Sequence, residues 1–197
     1  LAKRDITQLT GLSAQTVSVI MRQLEGDGLL IRGEPVRGKV GQPSVPMSLN
    51  ADGAWFLGLK VGRRNAELVL IDFLGTVRAR HSQVFSCPQP QKLCELVAHF
   101  YAELVEEFGA GKVARIAGFG VALPFKLWEW SEAIVAPNED MQAWRDVDLR
   151  QELAQMFDFP VFLQNDGTSA CGAELAFGRH RHLLDYVYFH IGSFVGG

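Results

Sequence analysis

Gln15, Ser18 and Arg22, with Thr16 beside them, carry the most specific chemistry in the first fifty residues. Spacings of three and four put the first three on one face of a helix. That face offers an amide, short hydroxyls and one guanidinium without a carboxylate, a set suited to base edges and phosphates in a major groove. A second constellation stands far along the chain, where Asn165-Asp166 follows the strand-like run Val161 to Leu163 and precedes a helical stretch. Open α/β sheets expose their ligand groups at such strand ends. Asp166 reads equally well as the plain N-cap of a helix starting near Gly167.

The elements that must hold the first set follow from punctuation. Ile6 and Leu9 belong to a short helix that stops at Thr10-Gly11, where glycine supplies the left-handed conformation of a tight turn and Leu12 is expected to fill that turn. Ser13 stands at an N-cap position, and Val17, Ile20, Met21 and Leu24 form the apolar stripe of the second helix, which closes at Gly26-Asp27-Gly28. The run 29–32 predicts a strand and 45–49 its partner. Between them Gly33, Arg37, Gly38, Lys39, Gly41 and Gln42 make a cationic hairpin tip with the form of a wing. An amphipathic helix or a polar loop is ordinary by itself. Their order, helix, Gly turn, capped polar-faced helix, stop and basic hairpin, favours a winged helix-turn-helix over residues 1–50 that contacts DNA through Ser13, Gln15, Thr16, Ser18, Arg22, Arg37, Lys39 and Gln42. Leu1 lies close to the first visible helix, so a leading helix is expected upstream.

After a short linker at 50–53, three strand-like runs, 55–61, 66–71 and 76–85, are joined by tight connections and predict an antiparallel meander. A helix over 91–108, a buried strand over 116–123, a helix over 149–157, a strand over 161–163, a helix over 168–177 and a strand over 186–191 follow. The order βββ-α-β-α-β-α predicts an α/β lobe of the ribonuclease-H-like, actin-like sugar-kinase type over 54–197, with the last strand opening a second lobe that this chain lacks.

Composition bounds the function classes. Of 197 residues, 48% are hydrophobic and 21% charged, enough apolar material for one substantial core and a small satellite. Apolar runs are far shorter than a membrane span, which sets the cytoplasm as the expected location with no membrane partner. The net charge of −3 is unevenly spread: residues 1–50 hold six Lys/Arg against four Asp/Glu, the remainder thirteen against eighteen. Only the front is suited to phosphate. Cys87, Cys94 and Cys171 form no CxxC pair and have no histidine at ligand spacing, so they read as reduced, mostly buried thiols with neither a disulfide framework nor a zinc site.

With these elements laid out, the chain resembles the ROK family of repressors, open reading frames and kinases along nearly its whole length. Thr10-Gly11-Leu12-Ser13 with Thr16-Val17-Ser18 and Gly28-Leu29 is similar to the winged-helix motif of its regulator branch, and Gly41-Gln42-Pro43 to its wing motif. Ala136-Pro137-Asn138 with Trp144, Gln164-Asn165-Asp166 with Ala170 and Glu174, and residues 192–197 are similar to successive ROK motifs. The resemblance implies that a hexose or amino-hexose binds between two lobes through Asn138, Asn165 and Asp166, whose amides and carboxylate match vicinal hydroxyls.

In kinases of the family the aspartate at the position of Asp166 is the base that takes the proton of the attacking hydroxyl. Their Asp-x-Gly-Gly-Thr phosphate loop corresponds here to Lys60-Val61-Gly62-Arg63-Arg64, which loses the acid, the second glycine and the threonine. Phe194 and Phe125 replace small residues in two further loops. The expectation is therefore a non-enzymatic, sugar-responsive transcriptional regulator, a repressor acting on operator DNA as a homodimer or homotetramer. The alternative is an ATP-dependent ROK sugar kinase with an appended DNA-binding domain. The family's zinc-binding cysteine cluster would lie beyond Gly197, so no metal or other cofactor is assigned.

Overall fold

The computed structural model describes residues 1–35, 45–125, 127, 138–179, 183, 185–191 and 195–196. At the front, α1 (Lys3–Thr10) ends at Gly11, whose φ of 69° lets its N–H turn back to the Thr7 carbonyl at 3.0 Å. Helix α2 (Ala14–Gly26) begins at Ser13, whose Oγ accepts the Thr16 N–H at 3.1 Å. Val17 is the one buried side chain of α2, at 2% exposure. Leu12, expected to fill the turn, is instead exposed, and Ile20 lies at the open margin of the stripe. Two short helices and a hairpin enclose too little volume to cover every apolar position.

Strand β1 (Leu30–Arg32) pairs antiparallel with β2 (Met47–Leu49), Leu30 opposite Leu49, a shorter hairpin than the two predicted runs. Arg32 closes it onto α2, its Nε and Nη2 donating to the two Glu25 carboxylate oxygens at 2.5 and 2.9 Å. The Met47 N–H also donates to the Leu1 carbonyl at 2.9 Å. Residues Ala51–Gly53, expected as a plain linker, form a turn of 3₁₀ helix capped by Asn50.

The body is built on a five-stranded sheet in the order β5-β4-β3-β6-β7. Strands β3 (Trp55–Val61), β4 (Asn65–Asp72) and β5 (Val77–Val84) form the predicted meander. Strands β6 (Ile116–Ala122) and β7 (Val161–Gln164) add in parallel on the other side of β3. Helix α3 (Pro90–Phe108) crosses one face, followed by the short α4 (Ala110–Val113). Helix α5 (Asn138–Gln142), a 3₁₀ turn at Ala143–Arg145 and α6 (Leu149–Ala154) precede β7; α7 (Asp166–Phe177), β8 (His190–Ile191) and β9 (Val195–Gly196) complete the chain.

Alternation explains the core. Trp55, Leu57, Leu59 and Val61 of β3 and Ala66, Leu68 and Leu70 of β4 all point to one face and are at most 3% exposed. They meet Leu93, Leu96, Val97, Phe100 and Leu104 from α3, with Leu149 and Leu153 from α6. Each buried Leu, Val or Phe among them contributes about 1.5–3 kcal/mol.

Three expectations are corrected. Helix α6 stops at Ala154, not at Phe157, because Phe157 leaves the helix to stack on Phe159 at 4.8 Å and to meet Tyr101 at 5.0 Å. The strand expected over 186–191 is only His190–Ile191, pairs with β9 outside the main sheet, and leaves Tyr186 donating its hydroxyl to the Cys171 carbonyl at 3.2 Å. Of the three cysteines, all free, only Cys87 is buried; Cys94 and Cys171 are half-buried.

The β4–β5 turn holds the one buried charge among the described residues. Asp72, 2% exposed, accepts the Leu74 and Thr76 N–H groups at 2.9 Å each and the Arg78 Nε at 2.8 Å. Burial pushes its carboxyl up, but the two amides and the guanidinium outweigh that, so it lies below the usual carboxylate value. A depressed carboxyl stabilises the fold above its unfolded value of about 3.9, and this is lost as pH falls through the lower folded value. Asp72→Asn should cost about 1–3 kcal/mol in urea unfolding at neutral pH. That deficit should shrink on titration below about pH 4, and a deficit independent of pH would contradict the assignment.

Candidate functional site

Two regions hold the residues singled out in the sequence. On α2, Gln15, Thr16 and Arg22 are exposed and Ser18 is half-buried. The Ser13 hydroxyl is engaged at the helix start, within 2.9 Å of the Thr16 hydroxyl, so this pair shapes the end of α2. Arg22 Nε donates to the Ser18 carbonyl at 3.2 Å, which lays the guanidinium along the helix. Val19, absent from the sequence-based set, is 55% exposed between Gln15 and Arg22. An apolar group in that position is suited to a thymine methyl; its signal was its place on the polar face of the helical wheel. A shallow cleft of about 250 Å³ runs between α2 and the hairpin, lined by Lys3, Ser18, Arg22, Arg32, Val45 and Met47, among others. Arg37, Lys39 and Gln42 lie outside the described residues.

The second region is the carboxyl end of the parallel strands. Lys60 of β3 pairs with Ala122 of β6, which pairs with Gln164 of β7, so three strands finish in one row. Beyond that row Leu123 and Pro124 line a cavity of about 510 Å³ with Phe125, Trp144, Arg145 and Asp148. Trp144 is buried and donates its indole N–H to the Pro88 carbonyl at 2.9 Å, which fixes the wall of the cavity. Asn138 opens α5, and its side chain is outside the description.

Asn165 and Asp166 are half-buried at the start of α7. The N-cap is Asn165, not Asp166: its Oδ1 accepts the Gly167 and Thr168 N–H groups at 3.0 and 3.3 Å. No described residue accepts from its NH₂. One Asp166 oxygen takes the Gly167 N–H at 2.9 Å, and the other has no described donor. Both residues therefore keep hydrogen-bonding capacity after the helix is capped. Among the described residues no three His, Cys, Asp or Glu side chains are grouped to hold a metal ion.

The model of the ROK family matches residues 56–197. The chain belongs to the ROK family. Its ROK relatives include the xylose repressor of Bacillus spizizenii, 23% identical over all of this chain and 50% of that protein. They also include the DNA-binding transcriptional repressor Mlc of Escherichia coli, 22% identical over 98% of this chain and 47% of that protein. The chain spans about half the length of the curated relatives it matches. Among solved structures, a ROK family transcriptional regulator described as a homologue of Escherichia coli Mlc aligns with a TM-score of 0.56 and 21% identity, covering 90% of this chain and 44% of that one. The mixed α/β sheet is thus the ROK, actin-like lobe.

Within this ROK lobe the first hairpin is occupied with its own closure. The Gly62 N–H donates to the Asn65 carbonyl at 2.8 Å and the Phe85 N–H to the Arg64 carbonyl at 2.9 Å. Lys60 is exposed at the strand end. No helix among the described residues is long and apolar enough to cross a membrane.

Because Asn165 caps α7 through its oxygen, Asn165→Ala should speed hydrogen exchange of the first-turn amides of α7 about fivefold, the equivalent of about 1 kcal/mol, whereas Asn165→Asp retains the cap. Wild-type exchange in Asn165→Ala would show that the cap contributes nothing.

Proposed function

We propose that this chain is the front half of a sugar-responsive, DNA-binding transcriptional repressor. Residues 1–50 act as a winged helix-turn-helix and residues 54–197 as the first lobe of the sugar-binding part. The observation that carries this reading is the face of α2, on which Gln15, Val19 and Arg22 stand exposed. Repressor relatives aligned along the whole chain support it. Gln15 reads a base edge, Arg22 and the wing cations Arg37 and Lys39 meet phosphate, and Gln42 joins them at the wing. Ser13, Thr16 and Ser18 hold and extend this surface.

The effector is a monosaccharide bound by Asn138, Asn165 and Asp166 beside the 510 Å³ cavity. D-Xylose is the first candidate, since the Bacillus relatives are named for it. Repression without phosphoryl transfer is favoured over a kinase because the Lys60–Arg64 hairpin supplies no carboxylate, and its Gly62 amide is already spent inside the turn. A homodimer would present two α2 helices to a two-half-site operator, and the sugar would change their separation.

Selection of duplexes from a random pool, followed by fluorescence anisotropy, tests this. Affinity should fall steeply between 50 and 200 mM salt, by roughly 0.9 log unit per log unit of salt for each phosphate contacted. Gln15→Ala should relax preference at one base position and cost about tenfold, near 1.4 kcal/mol. Arg22→Ala should weaken all duplexes alike. Binding that ignores both salt and these substitutions would defeat the proposal.

A further inference from the structure

A third set of contacts lies where the helical front meets the sheet. Helix α2 ends in a Schellman motif: the Gly28 N–H donates to the Glu25 carbonyl at 3.0 Å and the Leu29 N–H to the Leu24 carbonyl at 2.8 Å. Its last turn leaves the Asp27 carbonyl pointing outward, as helix ends do. That carbonyl accepts from Arg115 Nη2 at 3.2 Å. The same guanidinium donates to the Gly53 carbonyl through Nη2 at 2.7 Å and Nε at 3.1 Å. Arg115 is the residue before β6, and its own carbonyl accepts the Trp55 N–H at 2.9 Å, the first bond between β6 and β3.

The junction is packed to fit this side chain. Gly28 has φ of 75°, and a Cβ there would sit 2.8 Å from Arg115 Nη2. A Cβ on Gly53 would approach the Gly28 carbonyl oxygen and Leu29 Cα at 3.1 Å each. Asn50 ties the two segments again, its Nδ2 donating to the Gly28 carbonyl at 2.8 Å and its N–H to the Leu29 carbonyl at 2.9 Å. Lys112 adds a pair with Asp52 at 3.3 Å. A planar fork can serve two carbonyls on separate segments at once; a lysine ammonium makes a point contact.

We propose that Arg115 is the positioning residue that couples the orientation of α2 to the sheet, an inference that rests on the DNA-binding reading above. Its place gives the reason. Strand β6 itself spans about 23 Å at 3.3 Å per residue, with Arg115 just before it and Leu123 and Pro124, at the wall of the cavity, just after it. It lies between β3 and β7 and is held by neighbours on both sides. A shift imposed on its carboxyl end by a sugar is handed, through one rigid element, to the carbonyl that ends the DNA-facing helix. Arg115 touches neither ligand.

The test uses Arg115→Ala, Arg115→Lys and, as a neighbouring control, Lys112→Ala. Hydrogen exchange at the Leu29 and Asn50 amides, thermal unfolding of the sheet, and affinity for the best duplex with and without D-xylose are measured. Arg115→Ala is expected to speed exchange at both amides about tenfold, as loss of a charged hydrogen bond would, with sheet unfolding unchanged. It should also abolish the sugar-dependent change in duplex affinity; Arg115→Lys should restore part of both, and Lys112→Ala neither remove nor mimic them. Wild-type exchange rates in Arg115→Ala, or faster exchange with an intact sugar response, would overturn the proposal. Wild-type protein that binds no duplex, together with faster exchange in Arg115→Ala, would remove the DNA reading and leave the junction contact standing.

Discussion

The alternation of Trp55, Leu57, Leu59 and Val61 along β3 is the constraint on which the rest of the molecule depends. One slip of register would turn all four toward the other face and strip α3 of its partner surface. Because β3 lies in the middle of the sheet, its register is read from both sides, antiparallel by β4 and parallel by β6. The irregularity at Trp55/Phe56 in the β3–β6 pairing adjusts the ladder where the strands begin, and beyond it the two run in step to Lys60 and Ala122.

From that register follows a polarity. The amino ends of β3 and β6 meet the helical front through Gly53 and Arg115, and their carboxyl ends lie toward the cavity and the Asn165 turn. Parallel pairing makes the two ends chemically different, because both strands arrive at the same side. On the proposed reading, the macromolecular contact and the small-molecule contact therefore lie toward opposite ends of these strands.

Much of this was legible in the residues. Strand β3 matches its predicted range because alternation and bounding glycine agree. Ser13 was identifiable as a cap because a hydroxyl before an apolar stripe has few other uses. The limits lay where local chemistry is degenerate. Asn165 and Asp166 are both good caps, and only geometry decides that Asn165 takes that role. Phe157 continues the apolar period of α6, yet a cluster with Tyr101 and Phe159 draws it out of the helix. Arg115 carried no motif at all; its role depends on carbonyls 62 and 88 positions away, which no local pattern encodes.

The outer strand β5 has a further effect. Its Arg78 and Arg80 are anchored sideways to Asp72 and Glu67 of β4, so a row of held cations flanks the free backbone groups of that margin. Another extended chain approaching there would have to bring its own anions or desolvate fixed positive charge. Among the described residues the opposite margin, β7 with Val161, Phe162 and Leu163, carries no such ion pair, and Phe162 is 64% exposed. A strand added beside β5 would therefore meet fixed positive charge, whereas one added beside β7 would meet an aromatic side chain.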